Sequence, residues 1–188
     1  MKKDIGVHPY AFPMPVLMIA TYGDDRKVDV MNMAWGGICG DKTVALNISA
    51  SHKTTANLKK HLAFTLSIAD LPHLKEADYF GMASGNKVED KFEKSGLHAV
   101  KSSKVDAPIV EEFPVTLECE VIDFKENDGH VRVVGEIVGI LADESVLDAE
   151  GKVIPSRLNA FVYDCFQNGY YAIGEKVGQA WSSGSALM

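Results

Sequence analysis

The chain has 188 residues, of which 46% are hydrophobic, and this length suits one compact domain better than two ordinary catalytic domains. Acidic residues outnumber basic ones 26 to 19, which gives a formal net charge of -7. Because no lysine- or arginine-rich stripe interrupts that balance, nucleic acid and anionic membrane are poor candidate partners.

The first twenty residues do not resemble a signal peptide. Two lysines are followed by an acid and by three prolines, Pro9, Pro13 and Pro15, where a signal peptide needs an uninterrupted apolar stretch. Nothing else approaches the roughly 18 consecutive apolar residues of a membrane span. We therefore expect a cytoplasmic protein with a single domain over residues 1–188.

The first half of the chain alternates short apolar runs with turns. Two apolar runs that flank Gly23-Asp24-Asp25 predict a β-hairpin. A polar segment that starts with capping residues and ends in lysines predicts a helix between two strands. In chain order we predict strands at 16–22, 28–33 and 43–50, a helix at 51–61, a strand at 64–69, and short helices at 73–82 and 88–95.

The second half predicts a long β-hairpin. Alternating segments at 115–124 and 130–143 flank Asn127-Asp128-Gly129, and Asp-Gly in that position is a strong hairpin signal. The aromatic segment 161–181 predicts closing strands and a mobile tail. The predicted fold class is mainly β with peripheral helices, and a closed or nearly closed antiparallel barrel would bury the apolar faces and protect the strand edges.

Common catalytic signatures are missing from the sequence, which contains no P-loop, GxGxxG, GxSxG, HExxH or EF-hand loop. Cys39, Cys119 and Cys165 form no CxxC pair and have no histidine at zinc-like spacing, so we expect reduced thiols and no metal site. A redox role for Cys39 or Cys165 stays open. The chemistry of such a chain can come from a bound cofactor.

Residues 49–58 join a predicted strand to a predicted helix. The free N–H groups of a first helical turn, together with Lys53 and nearby hydroxyls, favour a phosphate monoester. The alternative is a plain helix start in which Ser51 caps the helix and Lys53 points to water. The hydroxyls belong to Ser51, Thr54 and Thr55.

Two further segments are candidates for a ligand site. Small residues beside Trp35 in residues 32–39 let a planar ring approach backbone amides, although a core tryptophan near a tight bend is the plainer interpretation. Residues 84–92 form a polar loop that carries a cation, Lys91, and an aromatic ring, Phe92. Such a loop by itself is usually a solvated turn.

These three segments and residues 13–16, in this order, resemble the flavin reductase-like family with the FMN-binding split barrel, and most closely its flavoredoxin branch. Residues 159–161 and 169–178 match as well, so the resemblance covers roughly residues 13–181. It implies a Greek-key split barrel that forms a homodimer, with FMN near the subunit interface.

The resemblance also implies which residues hold FMN. One group lines the ring, a second surrounds the ribityl phosphate, with His52 as a further candidate for phosphate contact, and a third closes the pocket. These groups are Asn32, Met33, Ala34 and Trp35; then Ser49, Ala50, Ser51, Lys53 and Thr54; and then Ser84, Gly85, Lys91 and Phe92.

The leading hypothesis is an oxidoreductase that passes electrons from NADH or NADPH through FMN to free flavin, ferric iron or another small acceptor. Hydride transfer to a flavin requires stacking more than a protein acid or base, so we predict no catalytic residue. A flavoredoxin-type electron-transfer protein reduced by a protein donor is one alternative. A non-enzymatic flavin-binding protein is another. The acceptor and the nucleotide preference stay open.

Overall fold

The computed structural model describes all 188 residues, Met1–Met188. Its regular structure consists of twelve β-strands and two α-helices, with short 3₁₀ turns between them. The strands are β1 (Met14–Pro15), β2 (Leu17–Tyr22), β3 (Val28–Met33), β4 (Gly36–Gly40), β5 (Thr43–Ser49), β6 (Ala63–Ile68), β7 (Ala99–Lys101), β8 (Pro108–Val110), β9 (Val115–Asn127), β10 (His130–Ala142), β11 (Phe161–Asp164) and β12 (Gly169–Ala172); the helices are α1 (Lys53–His61) and α2 (Leu74–Met82).

Seven strands form one antiparallel sheet in the order β3-β2-β6-β9-β10-β5-β4. Only two residues, Ala34 and Trp35, connect its edge strands β3 and β4, so the two edges approach each other at this corner. The sheet encloses an apolar core to which strands across its whole width contribute, including Ile19, Leu46 and Phe64. The mainly β class and the barrel are thus confirmed.

Strand β2 is buried on both of its faces, which explains its continuous apolar run. Leu17 and Ile19 point into the barrel core, whereas Met18 and Ala20 belong to a second core that includes Phe80 of α2. Helix α2 therefore packs against the outside of the barrel. No helix combines the length and the apolar character needed to cross a bilayer.

Both predicted hairpins are present. Leu17 to Tyr22 pairs with Val28 to Met33 in one ladder. Strands β9 and β10 turn at Asp128 and Gly129, whose φ angles of 49° and 78° are both positive, as a two-residue turn of type I′ requires. The helices predicted at 51–61 and 73–82 are also confirmed, as α1 and α2.

The helix predicted at 88–95 is wrong. This segment forms successive turns and only one 3₁₀ turn, Glu93–Ser95. The adjacent residues Lys91 and Phe92 are both buried, and a surface helix buries one stripe of residues three or four positions apart. Their side chains fix the segment to α2 in an irregular conformation.

We expected the C-terminal strands to close the barrel, and this prediction is wrong. Strands β11 and β12 pair with β1 in a separate three-stranded sheet. Phe161 is buried in the core that surrounds α2, and Tyr170 packs against that core. The small sheet therefore covers the helix side of the molecule, and the residues after 172 are exposed.

Candidate functional site

Two adjoining cavities form one groove along β3. The first, of about 180 Å³, lies between β3, the start of α1 and the end of α2. The second, of about 390 Å³, lies over the corner between β3, β4 and β5. Met31, Asn32 and His52 line both, so they mark the junction.

The start of α1 presents free backbone donors to the first cavity. Residue His52 is the N-cap, and its side chain makes no capping hydrogen bond. The N–H groups of Lys53 and Thr54 have no acceptor within the protein. The Ser51 hydroxyl is instead 2.9 Å from the Ser49 hydroxyl, so the alternative in which Ser51 caps this helix is wrong. Such unpaired N–H groups attract an anion.

Lys91 is a buried cation in the first cavity, with only 4% of its surface exposed. Its ammonium donates to the Phe80 carbonyl at 3.0 Å, and no other acceptor is within hydrogen-bonding distance. Burial lowers the pKa of Lys91, and the nearby Asp29 carboxylate partly offsets this effect. Because an ammonium carries three hydrogens, Lys91 retains donors for a ligand.

Asp29 fixes the geometry of this end of the groove. The carboxylate is buried, lines the first cavity and accepts from the Thr54 hydroxyl at 2.7 Å, so it ties β3 to α1. Partial burial lowers the pKa of His52, and Lys91 lowers it further. The uncharged His52 ring therefore separates the cationic end from the second cavity.

The segment after α2 closes the first cavity from the other side. Ser84 and Gly85 line it, and the Asn86 amide donates to the Ser51 carbonyl at 2.8 Å. A β-carbon on Gly85 would clash with Oδ1 of the buried Asp29 and would lie 3.0 Å from Cδ of Lys53, so a residue without a side chain is needed for this close approach.

The second cavity offers an apolar face edged with amides. Met31, Met33 and Trp35 line it, and Trp35 is about half exposed, which argues against its being a core residue. The Trp35 carbonyl accepts from the backbone N–H of Asn47 at 2.9 Å and from its side-chain amide at 3.1 Å. A flat ring system fits such a surface.

Most of the predicted site residues lie along the groove, and the structure separates four of them from its lining. Phe92 is buried and stacks on Phe80 with ring centroids 6.2 Å apart, so it supports the residue whose carbonyl binds Lys91. The lining includes Asn32, Met33, Trp35, Ser49, His52, Lys53, Thr54, Ser84, Gly85 and Lys91, and it leaves out Ala34, Ala50, Ser51 and Phe92.

The groove also contains residues that the sequence analysis missed. Asp29 and Met31 precede Asn32 on β3, and a carboxylate inside a largely apolar strand was the available signal. Asn47 was the one amide in an otherwise apolar run, and His130 lies opposite Ser49 in the sheet. Neither Cys39 nor Cys165 lines the groove, and all three cysteines are free.

The sequence model of a protein family described as the flavin reductase like domain matches residues 10–163 of this chain. The chain belongs to the flavin reductase-like family. It is 34% identical to flavoredoxin of Desulfovibrio vulgaris (Miyazaki F), with a TM-score of 0.93 over 98% of this chain and 100% of that one. This similarity confirms the predicted resemblance to flavoredoxin.

Two more distant structures share the fold of this flavin reductase-like chain. Flavoredoxin from Methanosarcina acetivorans is 22% identical, with a TM-score of 0.90 over 100% of both chains. The FMN-binding protein from Thermus thermophilus is 20% identical, with a TM-score of 0.76 over 95% of this chain and 98% of that one.

Proposed function

We propose that this chain binds FMN in the groove and uses it to transfer electrons between NADH or NADPH and a small acceptor. One observation carries the proposal: a cationic pocket with free N–H donors adjoins an open apolar face. FMN has the matching parts, because its phosphate monoester is joined to a planar ring. The description of the Thermus thermophilus neighbour as an FMN-binding protein supports the same ligand.

The residues of the first cavity, which is the narrow end of the groove, suit a phosphate. Two cations, Lys53 and Lys91, line this cavity beside the N–H groups of Lys53 and Thr54, and the positive end of the α1 dipole adds to the attraction. Only one carboxylate, Asp29, opposes them, and Thr54 occupies one of its oxygens. A phosphate would provide the buried Lys91 ammonium with a charged acceptor in addition to the Phe80 carbonyl.

The residues of the second cavity, which is the broad end of the groove, would position a ring rather than react with it. FMN, when bound, supplies the hydride and electron chemistry. Met31 and Trp35 would contact the ring, while Asn47 holds the backbone of Trp35 in place. No paired acid and base are required, because alignment of two stacked rings and exclusion of water account for hydride transfer.

A second candidate function is electron transfer with a protein donor in place of a nicotinamide nucleotide. It is favoured by the 34% identity to a flavoredoxin over almost the whole chain. Both functions use the same FMN site and differ only in what reduces it.

The deciding experiment is an anaerobic titration of the FMN-loaded protein with NADH and then NADPH, followed by flavin absorbance. Stoichiometric bleaching by either nucleotide supports the reductase. Bleaching only by a low-potential protein donor supports the second function, and flavin that stays oxidised with all donors leaves a non-enzymatic flavin-binding protein.

The ligand itself is tested by calorimetry with FMN, FAD and riboflavin. We expect FMN to bind most tightly, because riboflavin lacks the phosphate and FAD must carry its adenosine out past Lys53. Equal or tighter binding of FAD would contradict the assignment of the narrow end to a phosphate monoester.

A further inference from the structure

The residues that follow β12 are exposed along their whole length, and we call residues 173–188 the C-terminal arm. Its exposed large apolar side chains include Ile173, Val177, Trp181 and Leu187. Only two residues of the arm, Glu175 and Lys176, are charged. A tail that stays solvated has few apolar and many charged residues, so this composition favours a segment that packs against another surface.

The body of the same chain does not cover the arm. The last hydrogen bond between the two runs from the Ile173 N–H to the Ala160 carbonyl, at 3.5 Å. Every hydrogen bond of residues 174–188 has both partners inside the arm. Neither cavity of the groove has a residue of the arm in its lining. In a single chain the apolar side chains of the arm therefore face water.

Trp181 is presented by a closed turn at residues 179–183. The Ser183 hydroxyl donates to the Gln179 carbonyl at 2.8 Å and accepts from the Gln179 N–H at 2.9 Å. Trp181 lies in the middle of this turn with a φ angle of 58°, a left-handed conformation that a bulky residue rarely adopts. Strain of this kind is concentrated at functional sites. The strained indole is fully exposed, and tryptophan is among the side chains most enriched as anchors of protein interfaces.

The open face of the second cavity offers such an anchor a place. Met31, Met33 and Trp35 line the cavity, and a flat ring bound on them would keep its outer face open to water. The arm starts close to this opening, because Tyr163 of β11 is 6.2 Å from Trp35 and β11 pairs with β12. If two copies of the chain paired about a two-fold axis through this surface, each arm would start beside the groove of the other copy.

The charge of the arm also suits a second copy of this chain. The whole chain has a formal net charge of -7, so two copies repel each other in general. In the arm, Glu175 and Lys176 cancel, so the arm has no net charge and a second copy does not repel it.

We propose that the C-terminal arm binds a second copy of this chain, and that Trp181 covers the open face of the groove in that copy. Each groove is then completed by the other chain. The position of Trp181 over a bound flavin ring rests on the proposed function, whereas the exchange of arms does not.

Tryptophan fluorescence tests the docking of the arm without a ligand. The chain has two tryptophans, so Trp181 is the only one left in Trp35→Phe. In the apo dimer of this variant we expect a blue-shifted emission that is protected from quenching by iodide. On dilution to the monomer the emission should shift to that of an exposed indole. The emission of an exposed indole in the dimer would overturn the proposal.

Sedimentation of the apo wild type and of Trp181→Ala measures the contribution of the anchor. Because Trp181 is fully exposed in the single chain, its removal should leave the stability of that chain unchanged. We expect the dissociation constant of the dimer to rise at least about thirtyfold. A Trp181→Ala dimer as stable as the wild type, or a wild type that stays monomeric, contradicts the exchange of arms.

Ile140→Ala is the matched control for Trp181→Ala. The Ile140 side chain is also well exposed, but it lies far along β10 from His130, which lines the groove. At the rise per residue of a strand, the two positions are roughly 30 Å apart. The Ile140→Ala dimer should dissociate at the same concentration as the wild type.

Mixing of two FMN-deficient variants tests whether the arm acts on the other chain. Lys91→Met lacks the buried cation of its own groove and Trp181→Ala lacks the anchor, so we expect each alone to bind FMN weakly. In a mixed dimer, the intact groove of the Trp181→Ala chain meets the intact arm of the Lys91→Met chain. High-affinity FMN binding should therefore return on mixing. No recovery, with mixed dimers confirmed by native mass spectrometry, would mean that the arm does not act on the other chain.

These experiments separate the exchange of arms from the proposed function. A wild type that docks its arms in the apo dimer but binds no FMN keeps the exchange of arms and removes the proposed function. Equal FMN affinity of the wild type and Trp181→Ala keeps the FMN site and overturns the covering role of Trp181.

Discussion

Lys53 is the half-buried cation at the start of α1, and its side chain lines the narrow end of the groove. We expect Lys53→Ala to weaken FMN binding by roughly ten- to hundredfold, or about 1.5–3 kcal/mol, through loss of a charge-assisted contact to phosphate. Fluorescence titration measures the change. Riboflavin is the control ligand, because without a phosphate its affinity should barely change. An unaltered FMN dissociation constant would show that Lys53 is merely solvated.

Lys91 opposes folding in the absence of a ligand. Its pKa is lowered in the folded protein, chiefly by burial, so the charged form is less favourable there than in the unfolded chain. For a lysine whose pKa is lowered by folding, the linked stability is present above the pKa of the unfolded state, about 10.4. It is lost as the pH falls through the pKa of the folded state. At neutral pH the charged Lys91 therefore costs folding free energy.

We accordingly expect apo Lys91→Met to unfold at a temperature no lower than the wild type, while the rise in melting temperature produced by FMN largely disappears. Scanning calorimetry with and without FMN measures both effects. Lys94→Met is the control, because Lys94 is exposed and pairs with Asp90 at 2.8 Å. A wild-type response to FMN in Lys91→Met would remove Lys91 from the site.

At the residue scale, the sequence predicts what is contiguous in the chain. Residues 49–58 stood out as a candidate phosphate site because a strand end, a helix start and Lys53 are neighbours in sequence. Asp29 could not be found in this way, because it meets Thr54 only after β3 has been placed beside α1.

Strand β10 contains a glycine that the barrel core requires. A β-carbon on Gly135 would lie 2.6 Å from the ring of Phe64, which is fully buried. We expect Gly135→Ala to lower the free energy of unfolding by about 1–3 kcal/mol, since overpacking shifts the ring or the strand. Urea denaturation measures this loss.

Gly174→Ala is the matched control for Gly135→Ala. No atom lies within 4 Å of the position that its β-carbon would occupy. Its stability should stay within about 0.5 kcal/mol of the wild type. If the two variants were equally stable, Phe64 would have room to move, and the barrel core would be less tightly packed than the structure indicates.

At the element scale, the elements with strong local signals were predicted well. The buried run of β2 and the Asp-Gly turn between β9 and β10 both appear where the sequence places them. Strand β4 was missed because Gly36–Gly40 is glycine-rich and largely exposed, and it is a strand only because β5 pairs with it. The pairing of β11 with β1 joins residues that are far apart in the chain, and the periodicity of a sequence does not reveal such pairs.

At the scale of the whole molecule, the open side of the groove lies near an exposed apolar surface. Trp35 is 6.2 Å from the ring of Tyr163 on β11, and Phe12 packs edge-on against Tyr171 on β12 at 5.8 Å. Trp35, Phe12 and Tyr171 are each about half exposed. Exposed aromatic groups of this kind often mark a protein interface.

We expect this surface to form a homodimer whose dissociation releases FMN. Two-fold symmetry would create two equivalent sites, each covered in part by the other subunit. Binding that requires the dimer must also stabilise it, so flavin occupancy and dimer population should fall together on dilution. Analytical ultracentrifugation of a concentration series, detected both at the flavin band and at 280 nm, measures the two quantities in one experiment. The apo protein is the control and should dissociate at a higher concentration than the FMN-loaded protein. A monomer that carries tightly bound FMN would contradict this prediction, and the groove of a single chain would then be the complete site.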